Sequence, residues 1–252
     1  MLYKFLFGCV LLSLGLSCAE AQVVHFPDPH FKEALIRKKI DTNNDGEIQL
    51  SEAKKVTILY LEDTPFSSME GLKSFSNLEE FGTYKNRIRQ VDLQGMISLK
   101  RLYLVGSDIE SLNIKGCTNL EHLSMTGNRL TDIDISAFKK LTELSLDYNQ
   151  LTKMEINNYP ELKVINLSEN TISDLKISGC PKLESLRIRK NRITGNLHLT
   201  EFPQLTIFEA DHNLLSSADI RGLKKLTTFS CLYCNITTLN LSGTESLVDL
   251  IW

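Results

Sequence analysis

The sequence predicts a solenoid of stacked repeats, and three observations carry that reading. Leu120, Leu123, Met125, Asn128, Leu130, Ile133, Ile135 and Phe138 spell the pattern L-x-x-L-x-L-x-x-N-x-L-x-x-I-x-I-x-x-F, and the chain repeats it. Leu141, Leu144, Leu146, Asn149, Leu151, Met154, Ile156 and Tyr159 follow at the same offsets, then Leu162, Ile165, Leu167, Asn170, Ile172, Leu175 and Ile177. The repeat starts Val56, Leu78, Leu99, Leu120, Leu141, Leu162, Leu183, Leu205, Leu226 and Leu247 lie 21 or 22 residues apart. A fixed period with one Asn per turn decides architecture before any local propensity does. Within a turn, Leu123 and Met125 alternate with Ser124, the signature of a short strand with one buried face. One such turn cannot bury its own apolar side, so stability grows by stacking.

The inward Asn needs hydrogen-bond partners, which the backbone of neighbouring turns can supply. Asn86, Asn128, Asn149, Asn170, Asn191 and Asn213 form that stack, with Ser107 and Cys234 standing in. At these residues the chain resembles the leucine-rich-repeat family, whose core L-x-x-L-x-L-x-x-N/C-x-L is matched nearly turn by turn over residues 56–252. The resemblance implies a leucine-rich-repeat solenoid of the α/β horseshoe class, mostly β here, with a parallel β-sheet on its concave face.

The chain has 252 residues, 28 Lys plus Arg and 31 Asp plus Glu, for a net charge of −3. Nothing in that balance points to nucleic acid or an anionic membrane.

Taken in order, residues 1–21 read as a secretory signal. Lys4 is the charged start, Phe5 to Leu16 the apolar stretch, too short to span a bilayer, and Ala19-Glu20-Ala21 the cleavage site before Gln22. The rival is Gly15-Leu16-Ser17-Cys18, which resembles a bacterial lipoprotein box and would place a lipid anchor on Cys18.

Residues 22–55 read as an N-terminal cap. Phe26 to Ile40 gives a helix, with Asp28 as N-cap, Pro29 at the first helical position and Phe31, Ala34, Leu35 and Ile40 on one apolar face. It would cover the open end of the first repeat. Asp41 to Glu52, DTNNDGEIQLSE, matches the EF-hand-like loop D-x-[DN]-x-[DN]-G-x5-E. Asp41, Asn43, Asp45, Glu47 through its carbonyl, Gln49 through water and Glu52 would ligate Ca2+, a cation that takes six to eight hard oxygens. Gly46 permits the sharp turn and Ile48 would point into the core. A single loop without a sister loop argues for a structural site.

The first turn, from Val56, ends in Met69-Glu70-Gly71-Leu72 and Phe75, which resemble the short helical back of internalin-type repeats. Later turns carry a second extended piece: Val91/Leu93, Leu112/Ile114, Ile133/Ile135, Met154/Ile156, Leu175/Ile177, Leu197/Leu199 and Leu239/Leu241. With the calcium-loop cap, the chain resembles secreted or surface bacterial repeat proteins, internalin-like and of Bacteroidetes type. Nine turns are complete and a tenth stops at Trp252. Either Ile251 and Trp252 cover that end, or the chain is a fragment of a larger surface adhesin.

Four cysteines follow the leader. Cys117 and Cys180 share one offset three turns apart, roughly 14 Å at strand spacing, beyond disulfide reach. Cys231 replaces a core Leu and Cys234 the ladder Asn. Their C-x-x-C spacing invites a redox or zinc reading, but it lies on a strand and its turn, not at a helix start. All four are expected as buried free thiols.

No H-E-x-x-H and no G-x-S-x-G occurs. Glu143 with Asp147, and Glu209 with Asp211, share the concave face, and paired carboxylates can hydrolyse glycosides. On an open, solvated sheet nothing is expected to raise the pKa of either. The informative surface is the outward set of concave residues. Tyr84, Arg101 and Tyr103 form one candidate hot spot, and Arg187, Arg189, Glu209 and Asp211 another, unless the latter charges pair with each other. The expected function is non-catalytic binding of a protein, or alternatively a glycan, by a secreted or cell-surface chain. A hydrolase using concave carboxylates is the alternative.

Overall fold

The computed structural model describes residues 22–62 and 65–252. The signal segment and Cys18 lie outside the described residues. The repeats form one ten-stranded parallel sheet, one strand per turn in chain order. Its strands are Ile58–Leu61, Glu80–Tyr84, Arg101–Val105, His122–Ser124, Glu143–Ser145, Val164–Asn166, Ser185–Arg187, Ile207–Glu209, Thr228–Ser230 and Asp249–Ile251. Registers join equivalent residues of adjacent turns, as in Leu123 with Leu144 and Leu144 with Ile165. Every side chain therefore has its counterpart one strand spacing away, about 4.8 Å.

The core follows from the repeat. Leu102, Leu123, Leu144, Ile165, Leu186, Phe208 and Phe229 stack as one buried row. A second row, Phe75, Met96, Cys117, Phe138, Tyr159, Cys180, Phe202 and Leu223, lines the far side. Burying one such side chain stabilises by roughly 1.5–3 kcal/mol. Cys117 and Cys180 belong to this second row and are free, as expected. Burial pushes both thiols up.

The polar ladder runs through the same core. The Asn128 Oδ1 accepts from the Ser107 and Ile109 amides, and its Nδ2 donates to the Leu104 and Met125 carbonyls at 2.7 and 2.8 Å. Asn149, Asn170, Asn191 and Asn213 repeat the arrangement, each accepting from the previous turn at Leu130, Leu151, Ile172 and Ile193.

Cys231 and Cys234 overturn the free-thiol expectation. They form a disulfide, with Cα atoms 5.5 Å apart. The last core position of the strand and the ladder position both point inward around a tight turn, where Tyr233 takes φ 59°. Two sulfurs there face each other. Sequence spacing along the strand hid this, because the chain turns between them.

The convex side is less regular than expected. Three two-stranded ladders form: Gln90–Asp92 with Ser111–Asn113, Lys153–Asn157 with Asp174–Ser178, and Thr194–His198 with Leu214–Asp219. Ile133/Ile135 and Leu239/Leu241 form no strand, and Leu199 opens a 3-10 turn, Leu199–Glu201. On the outer side of a curved stack the turns spread apart, so ladder bonds there are intermittent. The back of the first turn is the short 3-10 helix Leu72–Ser74.

The cap helix spans Pro29–Arg37, shorter than the stretch read from the sequence, with Asp28 accepting from the His30 and Phe31 amides. The other Asp28 oxygen accepts from Ser67 N, Ser67 Oγ and Ser68 N at 2.7, 2.9 and 3.2 Å. One carboxylate thus caps the helix and bolts it to the first repeat. Burial opposes its ionisation, but the hydrogen bonds from Ser67, Phe31 and His30 outweigh burial and hold its carboxyl below the usual range. Phe26, Phe31, Phe66 and Phe75 pack across the same joint, Phe31 and Phe66 with centroids 5.0 Å apart. Gly71, at φ +99°, lies against this joint, where a Cβ would stand 2.6 Å from the Phe26 ring.

Candidate functional site

The concave sheet carries two groups of side chains foreseen from the sequence, and they differ. At the N-terminal end Arg101 Nη1 meets Glu80 at 3.3 Å. Tyr103 stands beside Arg101 on the same strand, and Tyr84, 41% exposed, carries Lys85 Nζ 5.6 Å from its ring centroid. Tyr60, not singled out in the sequence, completes the group. Its hydroxyl donates to Glu80 Oε1, and its ring stacks towards Tyr103 at 6.3 Å and 25°. Tyr60 was legible in principle, since it occupies the same offset in the first turn as Tyr103 in the third. Burial, followed by the Glu80 hydrogen bond and charge, pushes the Tyr60 phenol up to about 12. Burial also pushes Tyr103 up.

At the C-terminal end the charges pair internally. Arg187 Nε lies 3.4 Å from Glu209, and Arg189 Nε lies 3.0 Å from Asp211. Asp211 is buried and also accepts from Ser230 Oγ and the Leu232 amide. Opposite charges at equal offsets on adjacent strands are close enough to satisfy each other. The pairing alternative is the one the structure contains.

Between the two ends the floor is small and polar: Ser124, Thr126, Ser145, Asn166 and Ser168. Here the expectation of unperturbed carboxylates fails. Asp147 is buried, holds one hydrogen bond from Thr126 Oγ1 at 2.9 Å, and is pushed up by that burial. Glu143, four residues earlier, instead meets His122 Nδ1 at 3.2 Å.

Sequence reasoning also missed Tyr148 and Tyr233. Both hold left-handed backbone just before the ladder residue, at φ 55° and 59°, and are 58% and 69% exposed. Gly106 and Gly127 occupy the same offset, which was the available signal. The convex face has a hollow of about 500 Å³ around Ile133, Met154 and Tyr159. Its aromatic floor is already covered, with Lys139 Nζ 4.1 Å from the Tyr159 centroid.

In the cap, the loop is held by its own side chains. Asp41 accepts from the Asp45 and Gly46 amides, Asn43 from Asp45, and Asp45 from Glu47. The Asn43 and Gln49 amides donate to Asp45 Oδ2. Glu52 accepts from Thr42 and from the Gln49 amide, which closes a capping box on the short helix Leu50–Ala53. Burial opposes ionisation of Glu52, and these donors bring its carboxyl below the usual range. Among the described residues no three His, Cys, Asp or Glu side chains are gathered as a metal cluster. The donor chemistry nevertheless fits a hard cation: Asp41, Asn43, Asp45, Gln49 and Glu52 offer side-chain oxygens, and Glu47 its carbonyl. Ile48 is fully buried, as expected. The loop also has a partner that the sequence did not suggest. Residues 22–24 pair antiparallel with it, Val24 N donating to Ile48 O and Leu50 N to Gln22 O, both at 2.8 Å.

Comparison with known proteins agrees with the fold. Residues 118–159 match a model described as leucine-rich repeats in two copies, and residues 139–193 one described as leucine-rich repeat. The functional domain of InlJ from Listeria monocytogenes, whose structure includes a cysteine ladder, superposes with a TM-score of 0.72 at 23% identity, covering 90% of this chain and 55% of that one. The Leptospira interrogans repeat protein LIC12759 gives 0.68 at 24% identity, covering 81% and 57%. The plant peptide hormone receptor RGFR1, solved in complex with RGF2, gives 0.65 at 23% identity, covering 79% and 36%. The chain thus spans little more than half of these relatives at most. No curated protein matches the sequence significantly.

Proposed function

From a leucine-rich-repeat solenoid whose concave tyrosines lie uncovered, we propose a non-catalytic binding protein that receives a protein partner on the N-terminal half of its concave face. The observation that carries this reading is the group Tyr60, Glu80, Arg101 and Tyr103: Glu80 takes up both Arg101 and the Tyr60 hydroxyl, Tyr60 and neighbouring Tyr84 stay exposed, and half-buried Tyr103 stacks beside Tyr60. Interfaces draw most of their energy from a few Tyr and Arg anchors already held in place. The RGFR1 structure, a receptor of this fold in complex with RGF2, supports the class of function by analogy only. The internally paired Arg187, Arg189, Glu209 and Asp211 form the rim in this reading, and a glycan ligand is a test outcome.

Secretion or surface display rests on the signal read in residues 1–21, with a Cys18 lipid anchor as its variant. Calcium belongs to the cap in this proposal. Asp41, Asn43, Asp45, Glu47, Gln49 and Glu52 would hold it, and the ion would supply positive charge to a loop that carries the carboxylates of Asp41, Asp45 and Glu52.

The test is substitution in the full chain against its cross-linked and recovered partner. Tyr103→Ala or Tyr84→Ala is expected to weaken binding about thirtyfold or more, the effect of losing roughly 2 kcal/mol. Asp134→Ala and Glu155→Ala on the convex face should leave it unchanged. Loss of binding in the convex pair with silence in the concave pair would put the working surface on the other side.

A further inference from the structure

Gly82 is anomalous for its position. The equivalent residues of other turns are Tyr60, Tyr103, Ser124, Ser145, Asn166, Arg187, Glu209 and Ser230, so the repeat itself asks for no glycine there. Its backbone is paired strand and needs no left-handed conformation. A glycine inside a strand costs about 0.5–1 kcal/mol and marks a place where something approaches the backbone closely. What approaches is the Tyr60 ring: a Cβ on Gly82 would stand 2.3 and 2.4 Å from two of its carbons.

The distances around Gly82 tell the rest. Tyr60 and Tyr103 lie on the strands either side of it, two spacings apart, roughly 9.6 Å. Their ring centroids are nevertheless 6.3 Å apart, because Tyr60 leans over the bare backbone of Gly82. In that pose the Tyr60 hydroxyl reaches Glu80, which also pairs with Arg101. Remove the gap, and Tyr60 loses both its seat and its hydrogen bond. Tyr103 then stands alone.

We propose that Gly82 is the positioning residue of the concave binding surface: the missing side chain seats Tyr60 flat on the sheet, and that seat joins Tyr60 and Tyr103 into one pre-organised aromatic shelf. The inference rests on the binding function proposed above only for its biological meaning, since the seat itself is a property of the free protein. Pre-organisation matters because ordering a free tyrosine at an interface would otherwise offset part of the gain on binding.

The experiment uses the full chain without partner. Tyrosinate absorbance is followed against pH in the wild type, in Gly82→Ala and in Tyr60→Phe, the last assigning the Tyr60 transition. In Gly82→Ala the Tyr60 transition should fall from about 12 towards the ordinary phenol value near 10. An unchanged Tyr60 transition in Gly82→Ala overturns the proposal. A double-mutant cycle keeps the test valid even if Gly82→Ala folds poorly. Gly82→Ala should lower the unfolding midpoint in the wild type and raise it in Tyr60→Ala, where no ring remains to be displaced and only the strand cost of glycine is relieved. Equal effects in both backgrounds would again overturn it. A shelf seated as described that binds no partner would instead count against the binding function and leave the role of Gly82 intact.

Discussion

The two ends of the concave sheet present similar residue types and behave differently. Around Tyr60, Glu80, Arg101 and Tyr103, Glu80 takes up both Arg101 and the Tyr60 hydroxyl, and aromatic surface is left over once the charges are paired. Around Arg187, Arg189, Glu209 and Asp211, the charged groups are spent on each other. A parallel stack with equal offsets brings every residue within one strand spacing of its counterparts. Opposite charges in that arrangement neutralise; tyrosines cannot. The lesson is that on a repeat sheet exposed charge is weak evidence for a binding site, and exposed aromatic surface is stronger.

The same contrast runs through the scaffold and can be broken experimentally. The largest expected effect is in the ladder. Asn128→Ala strands the Ser107 and Ile109 amides and the Leu104 and Met125 carbonyls. Urea unfolding should show a loss of about 3 kcal/mol, at the upper end for buried polar groups left unpaired. At the other end the ladder site is a disulfide closing a very short loop, so the Cys231→Ala/Cys234→Ala double variant should cost only about 2 kcal/mol. The reverse order would mean that the C-terminal turns, not the Asn stack, hold the solenoid together.

Calcium sharpens the comparison at the cap. If the loop binds the ion only when folded, Ca2+ at 100 times its Kd adds about 2.7 kcal/mol. Thermal unfolding of the wild type should rise on titration while that of Asp41→Ala does not, with the gain in amide protection confined to residues 22–55. An identical flat response in both proteins would remove the metal from the account. On the concave face, Arg187→Ala should change partner affinity by less than tenfold, because its charge is already paired and partly exposed. Tyr60→Ala should cost about thirtyfold.

The smallest effects separate two buried carboxylates by pH. Asp28 has a depressed folded pKa, so its contribution is present above about pH 4 and is lost as pH falls through the folded value. Asp147 has a raised one, so its ionisation weighs against folding at neutral pH, and that penalty fades as pH falls through its folded value. Accordingly Asp28→Asn should destabilise at pH 7 and approach the wild type near pH 3. Asp147→Asn should stabilise at pH 7, with the gain shrinking in acid. Denaturant unfolding at both pH values checks the signs.

Most of the architecture was legible because a 21-residue period constrains it many times over. The strand of each turn, the Asn stack and the buried Phe138 and Tyr159 row all follow from one pattern. The cap helix was legible from Asp28 and Pro29, but not that Asp28 also grips Ser67, a contact between residues 39 positions apart. What the sequence hid were contacts made across turns or around tight ones. The Cys231–Cys234 bridge depends on a tight turn, the pairing of residues 22–24 with the loop on the fold of the cap, and the Asp147 burial on the walls of its neighbours. Tyr60 is legible from the repeat, since it stands at the offset in the first turn that Tyr103 takes in the third.

The central claim is that a partner meets the concave face at its N-terminal end, and tyrosine footprinting tests it most directly. Tyr60, Tyr84, Tyr148 and Tyr233 are all exposed, but only the first two belong to the proposed site, while Tyr148 and Tyr233 serve as internal controls towards the other end. Hydroxyl-radical labelling of the chain alone and in complex should show protection at Tyr60, Tyr84 and Tyr103 and none at Tyr148 or Tyr233. Protection of Tyr148 and Tyr233 with Tyr60, Tyr84 and Tyr103 still labelled would contradict the account.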